Sequence, residues 1–441
     1  MGTAMREFAA YLETALAHGL SPRRPMSRFI RGWRSLWRAA PSAVRLPPRA
    51  PGEPAALALP QPERAVLQTL QTAMAEASTH LHVVPNEEGL KVSYLVEGFW
   101  QELHSFRSVR LEEFLGALQE MASPLQPSSP SCLRWRREMD TLEIGWQRQG
   151  DSLHPWLDLR IWHESSPRLL SDTGMLEACE RLLPALHTAP PGWLVVAAPS
   201  PHGRSTSLIA LLYELLPRGP RRLILSEAGQ GSLPAAERLL VEEGDFRAAL
   251  SMSFSFEAQI LTLQSMDDPS LWPLILEAVE RGRFVVAAFT SPLDAVGVLE
   301  RLRERVEREA LARSLLGVVA QRLVRRPCVE CRKEYHPSPQ KLEAFGVRPE
   351  WLGETPLYLP NQCDHCRLSG YRGQTGLFEV LLPDEAVREW LCSRDSPSAL
   401  REYLALTGHR TLLQDGIRLL RMGWTTLEEL DRVLSLRHRS G

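Results

Sequence analysis

The sequence predicts an α/β protein: a mostly parallel sheet covered by helices on both faces, preceded by an α+β unit. A cysteine-rich insertion and a C-terminal helical bundle follow. Three observations carry this reading. Between Ser171 and Arg325, short apolar runs such as Trp193–Ala198, Ile260–Leu263 and Phe284–Phe289 alternate with helical stretches, the signature of parallel strands buried on both faces. Upstream, His80–Val84 and Leu90–Val96 alternate polar and apolar residues on either side of a turn, Asn86-Glu-Glu-Gly, which reads as a hairpin. Downstream, two Cys-x-x-Cys pairs precede a run of amphipathic helices.

In chain order, residues 1–61 form a basic amphipathic arm and linker. Met5, Phe8, Leu12, Ala15 and Leu16 share a helical stripe that Ser21-Pro-Arg-Arg-Pro interrupts. A second helix gathers Phe29, Ile30, Trp33, Leu36 and Trp37, ringed by Arg28, Arg31, Arg34 and Arg38. Such a helix lies on an anionic membrane or docks on a protein surface, so peripheral membrane contact through residues 26–38 stands beside packing on the chain itself. Residues 62–170 form the α+β domain: helix 62–76, the hairpin, helix Leu111–Met121, and strands near Thr141–Trp146 and Trp156–Trp162. Residues 171–325 form the α/β core, with helices expected at 174–187, Ser205–Leu215, Ala235–Glu242, Pro273–Arg281 and Leu293–Glu307. Residues 326–380 hold the tetracysteine subdomain and 381–441 the C-terminal helical subdomain.

Composition bounds the function. The chain has 441 residues, 44% of them hydrophobic and 24% charged, which suits a globular protein of two or three domains. No apolar run approaches the roughly 20 residues of a membrane span. Residues 1–20 follow a helical period rather than a signal-peptide pattern, and Arg6 stands where a myristoylation signal needs Ser or Thr. The net charge of −2 hides an arm with nine arginines against two glutamates in residues 1–50, a balance of +7. Arginines among tryptophans raise nucleic-acid binding, but no recognised module accompanies them, so no nucleic acid is expected. Lysine occurs only at 91, 333 and 341.

Cys328 and Cys331, then Cys363 and Cys366, form two knuckles whose four thiolates suit a tetrahedral Zn2+ site. Read as metal ligands, they point to a reducing compartment. Cys132, Cys179 and Cys392 are isolated and read as ordinary small core residues.

These cysteines and their flanks carry a resemblance. Leu315-Leu-Gly-Val-Val-Ala-Gln-Arg-Leu-Val-Arg-Arg-Pro-Cys-Val-Glu-Cys, Cys363-Asp-His-Cys, Gly370-Tyr-Arg-Gly-Gln-Thr-Gly-Leu-Phe-Glu-Val-Leu and Gly408-His-Arg-Thr-Leu-Leu-Gln-Asp-Gly-Ile-Arg resemble the ATPase family of type II secretion and type IV pilus assembly. The resemblance implies a RecA-like P-loop core that binds ATP and Mg2+. It further implies a hexamer, either of this chain alone or mixed with an active paralogue, seated on an inner-membrane platform protein. The expected location is cytoplasmic and peripheral to the inner membrane of a bacterium.

Against that family the nucleotide motifs are altered. The P-loop pattern G-x-x-x-x-G-K-[ST] is represented by Ala198-Pro-Ser-Pro-His-Gly-Arg-Ser. Gly203, Ser205 and Thr206 are kept, while Arg204 replaces the lysine that reaches the phosphates. Pro201 removes one backbone donor from a loop that works through successive N–H groups. Glu227 is the remaining candidate for the second-strand carboxylate. Ser265 stands where the catalytic glutamate of the Walker B strand belongs, Asp267 where an arginine is usual, and Asp268 remains as an acidic candidate. The histidine-box segment, Phe289-Thr-Ser-Pro-Leu-Asp, has no histidine. Ser93 and Leu95 replace two nucleotide-facing arginines, and Arg160 remains. Phosphoryl transfer needs both charge neutralisation and an oriented water. The expectation is a pseudo-ATPase with a structural or regulatory role. The alternative is an active hexameric motor in which Asp267 and Asp268 have taken over metal or water positioning.

Overall fold

The computed structural model describes residues 61–435 except 77, 97–98, 127–128, 138–139, 152–153, 164–168, 176–181, 187–189, 216–221, 227–236 and 242–244. The basic arm with its expected membrane helix over residues 26–38 lies outside the described residues, and so does Glu227.

The first sheet is built from α1 (Gln61–Ala75), β1 (His80–Asn86), β2 (Gly89–Val96), β3 (Phe99–Arg107), α2 (Leu111–Met121), β4 (Ser123–Gln126), β5 (Ser129–Arg137), β6 (Asp140–Gln149) and β7 (Trp156–His163). Its seven strands run in the order β3-β2-β1-β7-β6-β5-β4, and every neighbouring pair is antiparallel. The Asn86–Gly89 turn closes the expected hairpin with Val83 opposite Val92. Period-two alternation buries Leu90, Val92, Tyr94 and Val96 on one face of β2. The apolar stripes of α1 (Val66, Leu70, Ala73) and α2 (Phe114, Leu118) are buried as well, and the two helices pack side by side. Strands β3, β4 and β5 are absent from the sequence-based reading. Their runs are broken by charged and polar residues, and only neighbouring strands make them regular.

The second sheet uses β8 (Gly192–Ala198), α3 (Arg204–Leu215), β9 (Arg222–Ser226), β10 (Glu237–Leu240), α4 (Phe246–Ser253), β11 (Ile260–Leu263), α5 (Trp272–Glu280), β12 (Phe284–Thr290), α6 (Ala295–Arg303), α7 (Arg308–Ser314), β13 (Leu315–Pro327) and β16 (Tyr371–Leu381). Its order is β10-β9-β11-β12-β8-β13-β16. Pairs from β10 to β13 run parallel, and β16 closes the edge antiparallel to β13. Both faces are covered, as the apolar runs require. Trp193, Val195, Leu261, Val285 and Val318 enter one buried cluster. Leu194, Val196, Ile260, Val286 and Val319 enter another with Leu208, Leu211 and Leu212 of α3.

One expected helix differs, and one helix was not expected. Within the helix expected over Ala235–Glu242, residues Glu237–Leu240 form the strand β10, paired in register with β9, so a free sheet edge overrides the helical propensity of the segment. The helix expected over Leu293–Glu307 is present as α6, where Asp294 caps through Gly297 N–H. Just after it Glu307 starts α7, absent from the sequence-based reading, by accepting from Ala310 N–H at 3.0 Å.

Between β13 and β16 the chain forms β14 (Lys333–Tyr335) and β15 (Leu357–Leu359), a small antiparallel pair. The last segment holds α8 (Glu385–Cys392), α9 (Pro397–Leu406), α10 (Leu412–Arg421) and α11 (Leu427–Leu434). Leu412, Ile417, Leu419, Leu420, Leu427 and Leu430 pack with Val324 and Leu377 of the β13–β16 ribbon. Guanidinium groups lie on aromatic faces across this packing. Arg325 sits 4.0 Å from the Tyr371 ring centre, Arg332 3.9 Å from Tyr358 and Arg326 5.0 Å from Trp424.

The Glu429 side chain is fully enclosed. It accepts from Arg325 N–H at 3.0 Å, Arg325 Nη2 at 2.6 Å, and Arg432 Nε and Nη2 at 2.8 and 2.7 Å. Burial pushes its pKa up, but the hydrogen bonds from Arg432 and Arg325 outweigh burial and hold it below the ordinary glutamate value of 4.5. Its contribution to stability is therefore complete above pH 4.5 and is lost as pH falls below that value. Glu429→Ala leaves two arginines facing a void and is expected to cost about 3–5 kcal/mol in chemical denaturation. Glu429→Gln should flatten the acid limb of the stability profile.

Candidate nucleotide crevice and metal centre

The strand order places a crevice at the carboxyl ends of the parallel strands beside β8. From β8 the chain crosses to β9 on one side, and after β12 it returns to β13 on the other. Ligands of open α/β sheets bind at such a switch point. The β8–α3 loop, the end of β11 and the end of β12 meet there.

The loop over residues 199–203 is tightly folded. Pro199 and Pro201 carry no N–H, the Ser200–Pro201 bond is cis, and His202 N–H donates back to Pro199 O at 3.0 Å. Gly203 has φ +73°, and a Cβ there would meet Gln321 Nε2 at 3.1 Å and Leu323 Cδ1 at 3.2 Å, so the position favours glycine on both counts. Strand β13 anchors the loop. Gln321 Nε2 donates to His202 O at 2.7 Å, and Leu323 N–H donates to His202 Nδ1 at 2.9 Å. An acceptor at Nδ1 requires a neutral imidazole. Burial, helped by Arg322 and Arg432 and opposed by Glu429, pushes the His202 pKa down to about 4.

Gly203, Arg204, Ser205 and Thr206 thus come together at the start of α3. Arg204 Nη1 bonds Thr290 Oγ1 at the end of β12 and lies 3.7 Å from Asp267 Oδ2. Asp267 in turn accepts from Thr290 N–H at 2.6 Å and Thr290 Oγ1 at 2.5 Å. Ser265 faces the Asp267 amide at 3.4 Å. Asp268 turns to a different task. It caps the next turn, accepting from Ser270 N–H at 2.8 Å and Ser270 Oγ at 2.6 Å. Those bonds, the hydroxyl first, lower its pKa, which suits a helix cap more than a general base.

The segment Phe289–Asp294 is also tied structurally. Asp294 caps α6 and pairs with both Arg401 nitrogens at 2.5 and 3.0 Å, while Arg322 Nη2 bonds the carbonyls of Pro292 and Leu293. Ser93 and Leu95 lie on β2 opposite His82 and Trp100, and Arg160 on β7 approaches Asp158 at 4.0 Å.

The four knuckle cysteines converge. Cys328 and Cys363 Sγ are 3.9 Å apart, Cys331 and Cys366 3.8 Å, and Cys363 and Cys366 3.7 Å; all four sulfurs lie within 4.8 Å of one another. Four sulfurs about 2.3 Å from one tetrahedral Zn2+ stand roughly 3.8 Å apart, so the spacing fits that ion. Backbone bonds shape the cage. Gly370 N–H donates to Cys366 Sγ at 3.3 Å, and Cys328 N–H donates to Gly370 O at 3.0 Å. Gly370 has φ +79°, and a Cβ would strike Pro360 Cβ at 2.7 Å.

The chain-distant partners were not legible in the sequence. Thr290 is 86 residues from Arg204, and Gln321 is 119 from His202. No local pattern marks them, although His202 and Arg204 share the loop that the motif reading singled out.

A family model described as Type II/IV secretion system protein matches residues 266–432. Type II secretion system protein E of Dickeya dadantii is 31% identical over 280 residues, covering 62% of this chain and 55% of its own. The Aeromonas hydrophila protein of the same name is 26% identical over 379 residues, 84% of this chain and 75% of its own. These matches place residues 266–432 in the type II/IV secretion system protein family, and similarity to proteins of that system extends over 84% of the chain. The chain spans only about half the length, 55%, of the Dickeya protein. Type IV pilus assembly ATPase PilB of Thermus thermophilus is 22% identical over 83% of this chain and 42% of its own. The solved pilus retraction motor PilT with bound ADP superposes with a TM-score of 0.55 at 15% identity, covering 83% of this chain and 96% of that one. The Legionella pneumophila ATPase DotB gives 0.54 at 14% identity, with 88% and 98% covered. At such identities these two establish a shared traffic-ATPase fold.

The locked His202 imidazole should titrate near pH 4 in NMR, well below the ordinary 6.5. A midpoint at the ordinary value would mean that the Leu323 bond does not hold the ring.

Proposed function

We propose that this chain is a structural or regulatory component of a type II secretion or type IV pilus-like assembly machine, built on a traffic-ATPase fold whose nucleotide site is degenerate. The observation that carries the reading is the β8–α3 loop. A phosphate cradle needs successive N–H groups aimed inward, whereas Pro199 and Pro201 have none and His202 N–H turns back onto Pro199 O. Ser265 in place of a carboxylate and Asp268 in use as a cap add to it. Losing one transition-state stabiliser commonly costs a factor of about 10²–10³ in rate, and here several are replaced together.

In this reading Cys328, Cys331, Cys363 and Cys366 hold one Zn2+, which supplies folding free energy and no reaction chemistry. The chain joins a hexamer, alone or with an active paralogue, on the cytoplasmic face of an inner-membrane platform protein. The spacing of the four sulfurs supports the metal, and family membership supports the assembly.

Phosphate release by the purified protein with ATP and Mg2+ is expected to match that of Arg204→Ala. Robust turnover abolished by that substitution would overturn the pseudoenzyme reading in favour of an active motor. Metal analysis should find about one zinc per chain, lost with a lowered melting temperature in Cys363→Ser.

A further inference from the structure

The pairing of Arg204 with Asp267 has a meaning beyond the loss of a lysine. Arg204 is the first residue of α3, a helix of twelve residues, where the aligned peptide dipoles favour a negative charge. A guanidinium at that position is a natural ligand for a phosphate group. Here it faces a carboxylate supplied by the chain. Asp267 Oδ2 lies 3.7 Å from Arg204 Nη1, and Thr290 Oγ1 bonds both groups. The carboxylate is aimed, because Thr290 N–H fixes its other oxygen at 2.6 Å. It is also within reach of solvent and solutes, with the Asp267 side chain 42% exposed and Arg204 18% exposed.

We propose that Asp267 is an intramolecular counter-anion that competes with phosphate for Arg204 and sets the affinity of the crevice for phosphate-bearing ligands. This deepens the degenerate-site reading and rests on it: the crevice retains a cation and a helix start, and its charge is answered from within. The three strand ends are joined through this contact, since Arg204 follows β8, Asp267 follows β11 and Thr290 ends β12. An arriving phosphate must displace the carboxylate, and a half-exposed ion pair is weak enough to be displaced. The recognised chemistry is a phosphate monoester or inorganic phosphate. A nucleotide is its larger form.

The test compares wild type, Asp267→Asn, Arg204→Ala and the double variant in calorimetric titrations at low salt, with ATP plus Mg2+ in one arm and inorganic phosphate in the other. Asn keeps the acceptor for Thr290 N–H and removes the charge. Asp267→Asn should bind tighter than wild type by roughly two- to fivefold, as expected for release of one partly exposed ion pair, and the gain should vanish in the double variant. A gain in both arms assigns a general phosphate site, and a gain with ATP alone assigns a nucleotide site. Asp267→Ala, which also removes the charge, should shift affinity the same way and replaces Asp267→Asn if that protein does not fold. Wild-type turnover would defeat the pseudoenzyme reading while leaving the affinity comparison intact. Folded Asp267→Asn or Asp267→Ala with wild-type affinity in both arms would overturn the counter-anion.

Discussion

Everything that β13 positions depends on the carboxylate of Glu429. Its two oxygens take the backbone and side chain of Arg325 on β13 and the guanidinium of Arg432 on α11. A buried ion pair of this kind contributes less to net stability than its distances suggest, because both partners lose their hydration. What it supplies is position, since a wrong register would strand a carboxylate or a guanidinium inside the fold. Four residues before Arg325, Gln321 braces the β8–α3 loop, and three residues after it, Cys328 opens the first knuckle. The loop and the knuckle are therefore placed by one strand and one buried charge.

Two designs for handling charge sit side by side in this molecule. Around Glu429, one enclosed carboxylate is over-supplied with partners. At the strand ends of the α/β sheet, Arg204, Asp267 and Thr290 form a half-open group in which one ion answers another near solvent. The first arrangement resists exchange and the second invites it. That contrast matches the proposed division of the chain into a rigid zinc and C-terminal module and a crevice whose chemistry has drifted.

The elements most readable in the sequence were those decided by local rules. The apolar runs at Trp193–Ala198, Ile260–Leu263 and Phe284–Phe289 became strands because no other environment hides them. The Cys-x-x-Cys pairs converged because each knuckle is a short local turn. Strand β10 and helix α7 were hidden, since a sheet edge decides the one and a capping carboxylate at Glu307 starts the other. The candidate site divided the same way. Gly203, Arg204, Ser205 and Thr206 could be placed from the motif, whereas Thr290 and Gln321 enter only through folding. Asp268, an acidic residue in a suggestive place, proved to be a helix cap.

The β13–β16 ribbon has a mechanical consequence. Leu323, which grips His202, and Cys328, in the first knuckle, lie five residues apart along one strand and the turn that ends it. An extended chain rises about 3.3 Å per residue, so the two are separated by at most roughly 16 Å of backbone, interrupted by one register shift between Arg325 and Pro327. Strands bend and twist more readily than they lengthen, and antiparallel pairing to β16 stiffens this one further. A displacement of the cysteine cage would therefore reach the β8–α3 loop as a push or a pull along the strand. The ribbon is a connecting rod, and the geometry of four sulfurs at one end is felt at a histidine at the other.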